Sequence, residues 1–211
     1  MTYRLLYLNI RARGEPIRWL LRALEVEFEE ERIDMFTEWG AKKEELKWGQ
    51  TPVLEVDGEH LGQTTVICRY LGEKHDLAVE DSWTATRQQE AVEYLHDVSS
   101  LAAFAFYFRM KGNEEQKEFF MGRVRERLPM VVKNLEDLVT DEAGWLLSPK
   151  MTWVDVFVAA YLDQYVDMID DLLEEAPKLQ ELLARVRSLP SIQEWLEARP
   201  ALQEFESNEG L

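Results

Sequence analysis

The sequence predicts two units in one chain: a small mixed α/β domain over residues 1–78 and an all-helical domain over residues 82–211. Three observations carry that reading. Strand-like apolar runs occur in the first third of the chain. An Asp57-Gly58 pair sits between two of them. Beyond Asp76 the apolar residues recur at helical spacing instead.

Tyr3 to Leu8 is a short, nearly continuous apolar run, the pattern of a strand buried on both faces. Gly14, Glu15 and Pro16 open a helix carrying Ile17, Leu20, Leu21 and Leu24, with the proline in the first turn, where its missing N–H costs nothing. A second strand is expected over Glu27 to Ile33, followed by a basic helical stretch. Val53 to Val56 and Glu59 to Leu61 flank Asp57-Gly58, the signature of a two-residue hairpin whose turn needs positive φ. Thr65 to Leu71 reads as a helix. The order is strand, helix, strand, helix, hairpin, helix, which calls for a small sheet covered by helices.

Residues 76–82 form a polar connector. Val92, Leu95, Val98, Ala102 and Ala105 then mark one face of a helix over 83–111, ended by Gly112-Asn113. Further helices are expected over 114–140, 153–170, 178–188 and 191–198, the last two separated by Pro190. Thr152 and Asp155 have capping-box spacing, and Met151 with Val156 supplies the matching hydrophobic staple. That box is a folding signal, with no catalytic part.

Composition narrows the function. The formal charge of −17 argues against nucleic acid, whose phosphates need a basic face. Apolar residues make up 46%, yet no uninterrupted run approaches a membrane span, and the N-terminus lacks a signal-peptide pattern. Cys68 is the sole cysteine, so no internal disulfide forms and a reducing, cytoplasmic setting is expected. Residues 1–78 hold 11 Lys and Arg against 15 Asp and Glu, a net of −4; the remainder carries −13. The bases of the first unit gather at Arg11, Arg13, Arg18, Lys42, Lys43 and Lys47, where a small anionic ligand would be drawn against the overall field.

Specific segments then stand out: Tyr7-Leu8-Asn9-Ile10-Arg11-Ala12-Arg13-Gly14-Glu15, Thr51-Pro52-Val53-Leu54-Glu55-Val56-Asp57-Gly58, and Gln63-Thr64 opening a helix. With Thr152-Trp153-Val154-Asp155 and the closing Trp195 to Pro200, they resemble the cytosolic glutathione transferases across essentially the whole chain. The likeness is to the sigma class, with some alpha-class features. It departs at Ala12, where a glycine is usual, in one extra residue between Arg32 and Trp39, and at Thr64, where sigma enzymes carry serine and alpha-class relatives threonine. The resemblance implies a thioredoxin-like βαβαββα domain joined to a helical domain, glutathione as co-substrate without a metal, and a homodimer.

Glutathione chemistry needs a thiolate, and a free thiol with a pKa near 8.5 supplies little at neutral pH. A hydroxyl donating to sulfur stabilises the charged form. The resemblance gives that role to Tyr7, with Arg13 adding positive field. It gives the cysteinyl backbone contact to Thr51, ahead of a cis Pro52. Gln63 and Thr64 hold the γ-glutamyl carboxylate at a helix start, where free N–H groups favour an anion. Trp39, Lys43 and Gln50 receive the glycyl end. Asp97, on one face with Glu93, Ser100 and Phe104, reaches the γ-glutamyl amine of the partner subunit's ligand. Leu8, Ile10, Ala12, Phe104 and Phe108 are candidates for the site of a small hydrophobic electrophile, although an aromatic run is more often simply core.

Trp48 is read either as a dimer contact or as packing. No metal site is assigned to Glu93, His96 and Asp97; His60 and His75 lack ligand spacing, and Cys68 has no catalytic role. Two further roles fit the same fold: a glutathione-dependent prostaglandin isomerase, and a non-catalytic crystallin or ligand carrier. Retention of Tyr7, Arg13, Pro52 and Gln63 favours catalysis.

Overall fold

Alternation along β1 (Tyr3–Leu8) sets the architecture of the first third. Tyr3, Leu5 and Tyr7 enter the main core, while Leu6 joins Ile33, Leu46 and Val53 in a small separate cluster. The computed structural model describes residues 1–200. β1 pairs in parallel with β2 (Glu29–Ile33) and antiparallel with β3 (Val53–Val56), which pairs antiparallel with β4 (Glu59–Gly62). The sheet order is therefore β2-β1-β3-β4. The hairpin between β3 and β4 turns on Asp57 at φ +50° and Gly58 at φ +90°, as its sequence requires.

α1 (Glu15–Ala23) buries Ile17, Trp19, Leu20 and Leu21 completely. α2 (Trp39–Glu45) covers the small cluster through Trp39. α3 (Thr64–Lys74) follows β4 and carries Cys68, which is fully buried, so that desolvation pushes its thiol pKa up and keeps it protonated. Gly72 lets α3 lie against the next layer: a Cβ there would stand 2.4 Å from the Trp153 ring.

The helical part consists of α4 (Ser82–Met110), α5 (Glu114–Glu136), α6 (Trp153–Tyr165), α7 (Pro177–Arg187) and α8 (Pro190–Ala198). α4 starts on Asp81, whose carboxylate accepts from the Thr84 N–H at 2.8 Å. α6 is apolar nearly all round, from Val154 through Leu162, and accordingly lies in the centre, against α1, α3, α4 and α7. Its capping box is formed: Asp155 accepts from the Thr152 N–H at 2.7 Å and from the Thr152 hydroxyl at 2.8 Å.

Two helices are shorter than their sequence suggests. α6 stops at Tyr165, not near 170, because Asp167, Asp170 and Asp171 place negative charge at the negative end of the helix dipole, and Asp171 takes φ +57°. α5 stops at Glu136, not near 140. Val139 bridges to Leu146, and the Glu136 carboxylate turns away to accept the first amides of α7, Lys178 at 3.0 Å and Leu179 at 2.9 Å. Residues 201–211 of the expected helical unit lie outside the described residues.

Candidate active site

Tyr7 sits one residue from the end of β1, 4% exposed, with its ring in the main core. Its hydroxyl oxygen accepts the Arg13 backbone N–H at 3.0 Å, which leaves its own O–H to donate elsewhere. Burial raises the Tyr7 pKa, against the pull of the Arg18 guanidinium 5.6 Å from the ring centroid and of Arg13. The phenol therefore stays protonated at neutral pH, the form that donates.

Gly14 holds this ring in place by what it lacks. A Cβ at Gly14 would fall 2.3 Å from Tyr7 Cδ1, a distance no side chain tolerates. Gly14→Ala is expected to push the ring aside, with about 1–3 kcal/mol of lost stability and up to about 100-fold lower turnover. Thermal unfolding and steady-state kinetics check this; wild-type values in both would show that the ring does not depend on the glycine.

Arg13 ties four elements together. Its N–H meets Tyr7, its Nη2 donates to Ser100 Oγ on α4 at 3.1 Å, and its carbonyl accepts the Thr64 hydroxyl at the start of α3 at 3.3 Å. Beside this junction lies a cavity of about 330 Å³ of open space. It is lined by Arg13, Gln50, Thr51, Pro52, Gln63 and Thr64, and by Trp48, Gly62 and His96. The Thr51–Pro52 bond is cis. Gln63 precedes α3 at φ +74°, and its amide lies 3.5 Å from that of Gln50. The first amides of α3 have no intrahelical acceptor, so this end of the cavity suits a carboxylate. His96 closes the α4 side; burial, helped by Arg13, lowers its pKa, so it presents a neutral ring at neutral pH.

Other expected residues lie apart from the lining. Trp39 packs on the small cluster with Leu8, on the sheet face away from Tyr7. Lys43 is exposed along Gly49, next to Gln50. Asp97 is exposed, one position beyond His96. Ile10 and Ala12 pack against the main core, in the loop before α1. Phe104 and Phe108 each stack on Phe120 of α5, at 5.2 and 5.6 Å, and Phe104 is 53% exposed. Among the described residues no group of three or more His, Cys, Asp or Glu is placed to hold a metal ion.

Two family models match the chain. The model "Glutathione S-transferase, N-terminal domain" matches residues 3–73, and "Glutathione S-transferase, C-terminal domain" matches residues 96–199. A probable glutathione S-transferase of Caenorhabditis elegans is 33% identical, the alignment covering 94% of this chain and 97% of that protein. The chain belongs to the glutathione S-transferase family. Other family relatives bear a different name. The hematopoietic prostaglandin D synthase of Rattus norvegicus is 32% identical over 94% of this chain and 97% of its own. A solved prostaglandin synthase D of Nilaparvata lugens superposes with TM-score 0.84 at 32% identity, over 95% of this chain and all of that one.

Five contributors have no site role in the motifs read from sequence: His96, Trp48 and Gly62 in the lining, Gly14 under the Tyr7 ring, and Ser100 on Arg13. The spacing of His96 and Ser100, four apart on α4, placed them on neighbouring positions of one helix, but only the approach of α4 to the Arg13 loop brings that face to the cavity. Gln164 of α6 also donates to the Ala12 carbonyl at 3.3 Å, and the Arg11–Asp167 ion pair at 2.8 Å fixes the same loop. Among the described residues no helix is long and apolar enough to cross a membrane.

Proposed function

We propose that the chain adds the glutathione thiolate to small hydrophobic electrophiles, with Tyr7 as the hydrogen-bond donor to sulfur. One observation carries this most: the Tyr7 oxygen is already satisfied by the Arg13 amide, so its proton is left for an anion at the mouth of the loop. The thiol gives up its proton to solvent water, the sulfur anion is held by the Tyr7 hydroxyl and the charge of Arg13, and sulfur then bonds to the electrophilic carbon as the leaving group departs with its electrons. Residues 1–78 act as the glutathione-binding unit. Thr51 and Pro52 face the cysteinyl part, Gln63 and Thr64 the γ-glutamyl carboxylate, and Gln50 with Lys43 and Trp39 the glycyl end. Residues 82–211 supply the electrophile side through Phe104 and Phe108, with Leu8, Ile10 and Ala12 as the contributors from residues 1–78. Retention on immobilised glutathione together with turnover of an aryl halide tests the reading; neither retention nor turnover would reject it.

The likeness to proteins named prostaglandin D synthase favours a second use of the same thiolate, isomerisation of a prostaglandin endoperoxide without net oxidation. Product analysis after incubation with the endoperoxide separates the two readings.

The site is completed by a second copy. Asp97 is exposed on α4 and has no contact with its own cavity, which suits a carboxylate that serves the partner's γ-glutamyl amine. Sedimentation is expected to give a homodimer near 50 kDa, twice the 24.8 kDa of one chain. A rim ion pair is worth up to about 1 kcal/mol and a desolvated one more, so Asp97→Ala should weaken glutathione binding by between a few-fold and about tens-fold. The pKa of the bound thiol should stay near wild type, since the amine is several bonds from sulfur. A monomer at micromolar concentration, or unchanged affinity in Asp97→Ala, would remove the crossing role. The lone, buried cysteine fits a reducing, cytoplasmic setting.

A further inference from the structure

A second cavity, of about 270 Å³ of open space, lies between the loop after β1 and α8, away from the one lined by Thr51 and Gln63. Four arginines line it, Arg11, Arg18, Arg32 and Arg199, against one acid, Glu15. The acids around it are already occupied. Glu15 accepts from both Trp19 and Trp195 indoles, at 3.1 and 2.8 Å, and from Arg18 Nη1 at 3.1 Å. Glu30 accepts from Arg18 Nε at 2.6 Å and from Arg32 Nη2 at 2.9 Å. Asp163 and Asp167 are taken by Arg199 and Arg11, at 3.0 and 2.8 Å.

What remains unsatisfied is donors. Arg18 is 1% exposed and its Nη2 has no partner among the described residues; Arg11 Nε is likewise buried and unpartnered among them. A buried guanidinium N–H left without an acceptor is costly, so such a group marks the place of a missing acceptor. Two such donors on arginines of one cavity, in a chain of net charge −17, are a built receptor for a small planar oxyanion.

We propose that this arginine cavity is a second binding site, taking a small carboxylate, and that it is coupled to the thiol site through Arg18. The guanidinium of Arg18 stands 5.6 Å from the Tyr7 ring centroid, and its Nη1 donates to the Ile10 carbonyl at 2.7 Å, in the loop that leads to Arg13. A carboxylate on Arg18 offsets the cation that favours negative charge around Tyr7, and so disfavours the thiolate. The binding stands on the arginines alone; the coupling rests on Tyr7 being the thiol activator.

Titration calorimetry with succinate, at fixed ionic strength and with the glutathione site filled by S-methylglutathione, tests the binding separately from the reaction. One succinate per chain with Kd below about 1 mM is expected. Arg18→Lys and Arg11→Gln should each weaken it about ten-fold or more, because each removes one of the unpartnered donors. Among the described residues Arg11 pairs only with the exposed Asp167, so Arg11→Gln keeps the test open if Arg18→Lys does not fold. In the uninhibited enzyme, saturating succinate should lower turnover at neutral pH by about two- to five-fold, and Arg11→Gln should need more succinate for the same loss. Absence of binding, binding lost once S-methylglutathione is present, or wild-type affinity in Arg11→Gln would overturn the site. Inorganic phosphate binding more tightly than succinate would overturn the carboxylate assignment. Binding without any change in turnover would overturn the coupling alone.

Discussion

Tyr7→Phe is expected to keep most of its affinity for glutathione and to lose about 100- to 1000-fold of its conjugation rate at neutral pH. Losing one donor to a developing anion costs roughly 2.7–4 kcal/mol where the donor is preorganised and shielded from water. Tyr7 meets both conditions: its ring is 4% exposed, fixed against Gly14, and its oxygen is anchored by the Arg13 amide. Phenylalanine keeps the ring and its packing, so stability should change little. The Arg13 amide loses its acceptor, which adds a small loss of order in the loop. Steady-state kinetics beside glutathione titration separate the two effects; equal loss in affinity and turnover would make Tyr7 a packing residue.

Asp155→Ala is expected to be the most destabilising single change, costing about 3–6 kcal/mol of a total that for such domains is only about 5–15 kcal/mol. The carboxylate is completely buried and joins two segments. Oδ1 accepts the Leu146 N–H at 2.8 Å and Oδ2 accepts the Thr152 N–H and hydroxyl. Alanine leaves two backbone donors unpaired in the interior, each costing about 1–3 kcal/mol, and removes the start of α6, the central helix. Burial pushes the Asp155 carboxyl up to about 6 from 3.8, despite these hydrogen bonds. A folded pKa above the unfolded one means that this group favours folding most below pH about 4, and that its contribution is lost as pH rises through about 6. Asp155→Asn should lack that slope. Urea unfolding at pH 4 to 7 measures both; a loss under about 1 kcal/mol in Asp155→Ala would contradict the capping account.

Much of the fold is local and could be read directly. The nearly continuous apolar run of Tyr3 to Leu8, the Asp57-Gly58 turn and the apolar face of α4 are each set by residues close in sequence. The capping box was likewise legible as Thr152 and Asp155, although not that Asp155 also reaches Leu146. The ends of α5 and α6 are set otherwise: Glu136 serves the distant start of α7, and the aspartates after Tyr165 oppose the helix dipole, which apolar periodicity does not register. The same division holds at the site. Arg13, Thr51, Pro52, Gln63 and Thr64 belong to compact motifs and converge on one cavity. His96 lines the cavity and Ser100 holds Arg13 beside it only through the packing of α4, which no spacing in the sequence records.

The most direct measurement is the ultraviolet absorbance of bound glutathione thiolate, titrated against pH at saturating glutathione in the wild type and in Tyr7→Phe. The wild-type enzyme should hold the thiol pKa well below its free value near 8.5, and Tyr7→Phe should return it close to that value. A Tyr7→Phe titration superimposing on that of the wild type would contradict this, and would move thiol activation to Arg13 or another group.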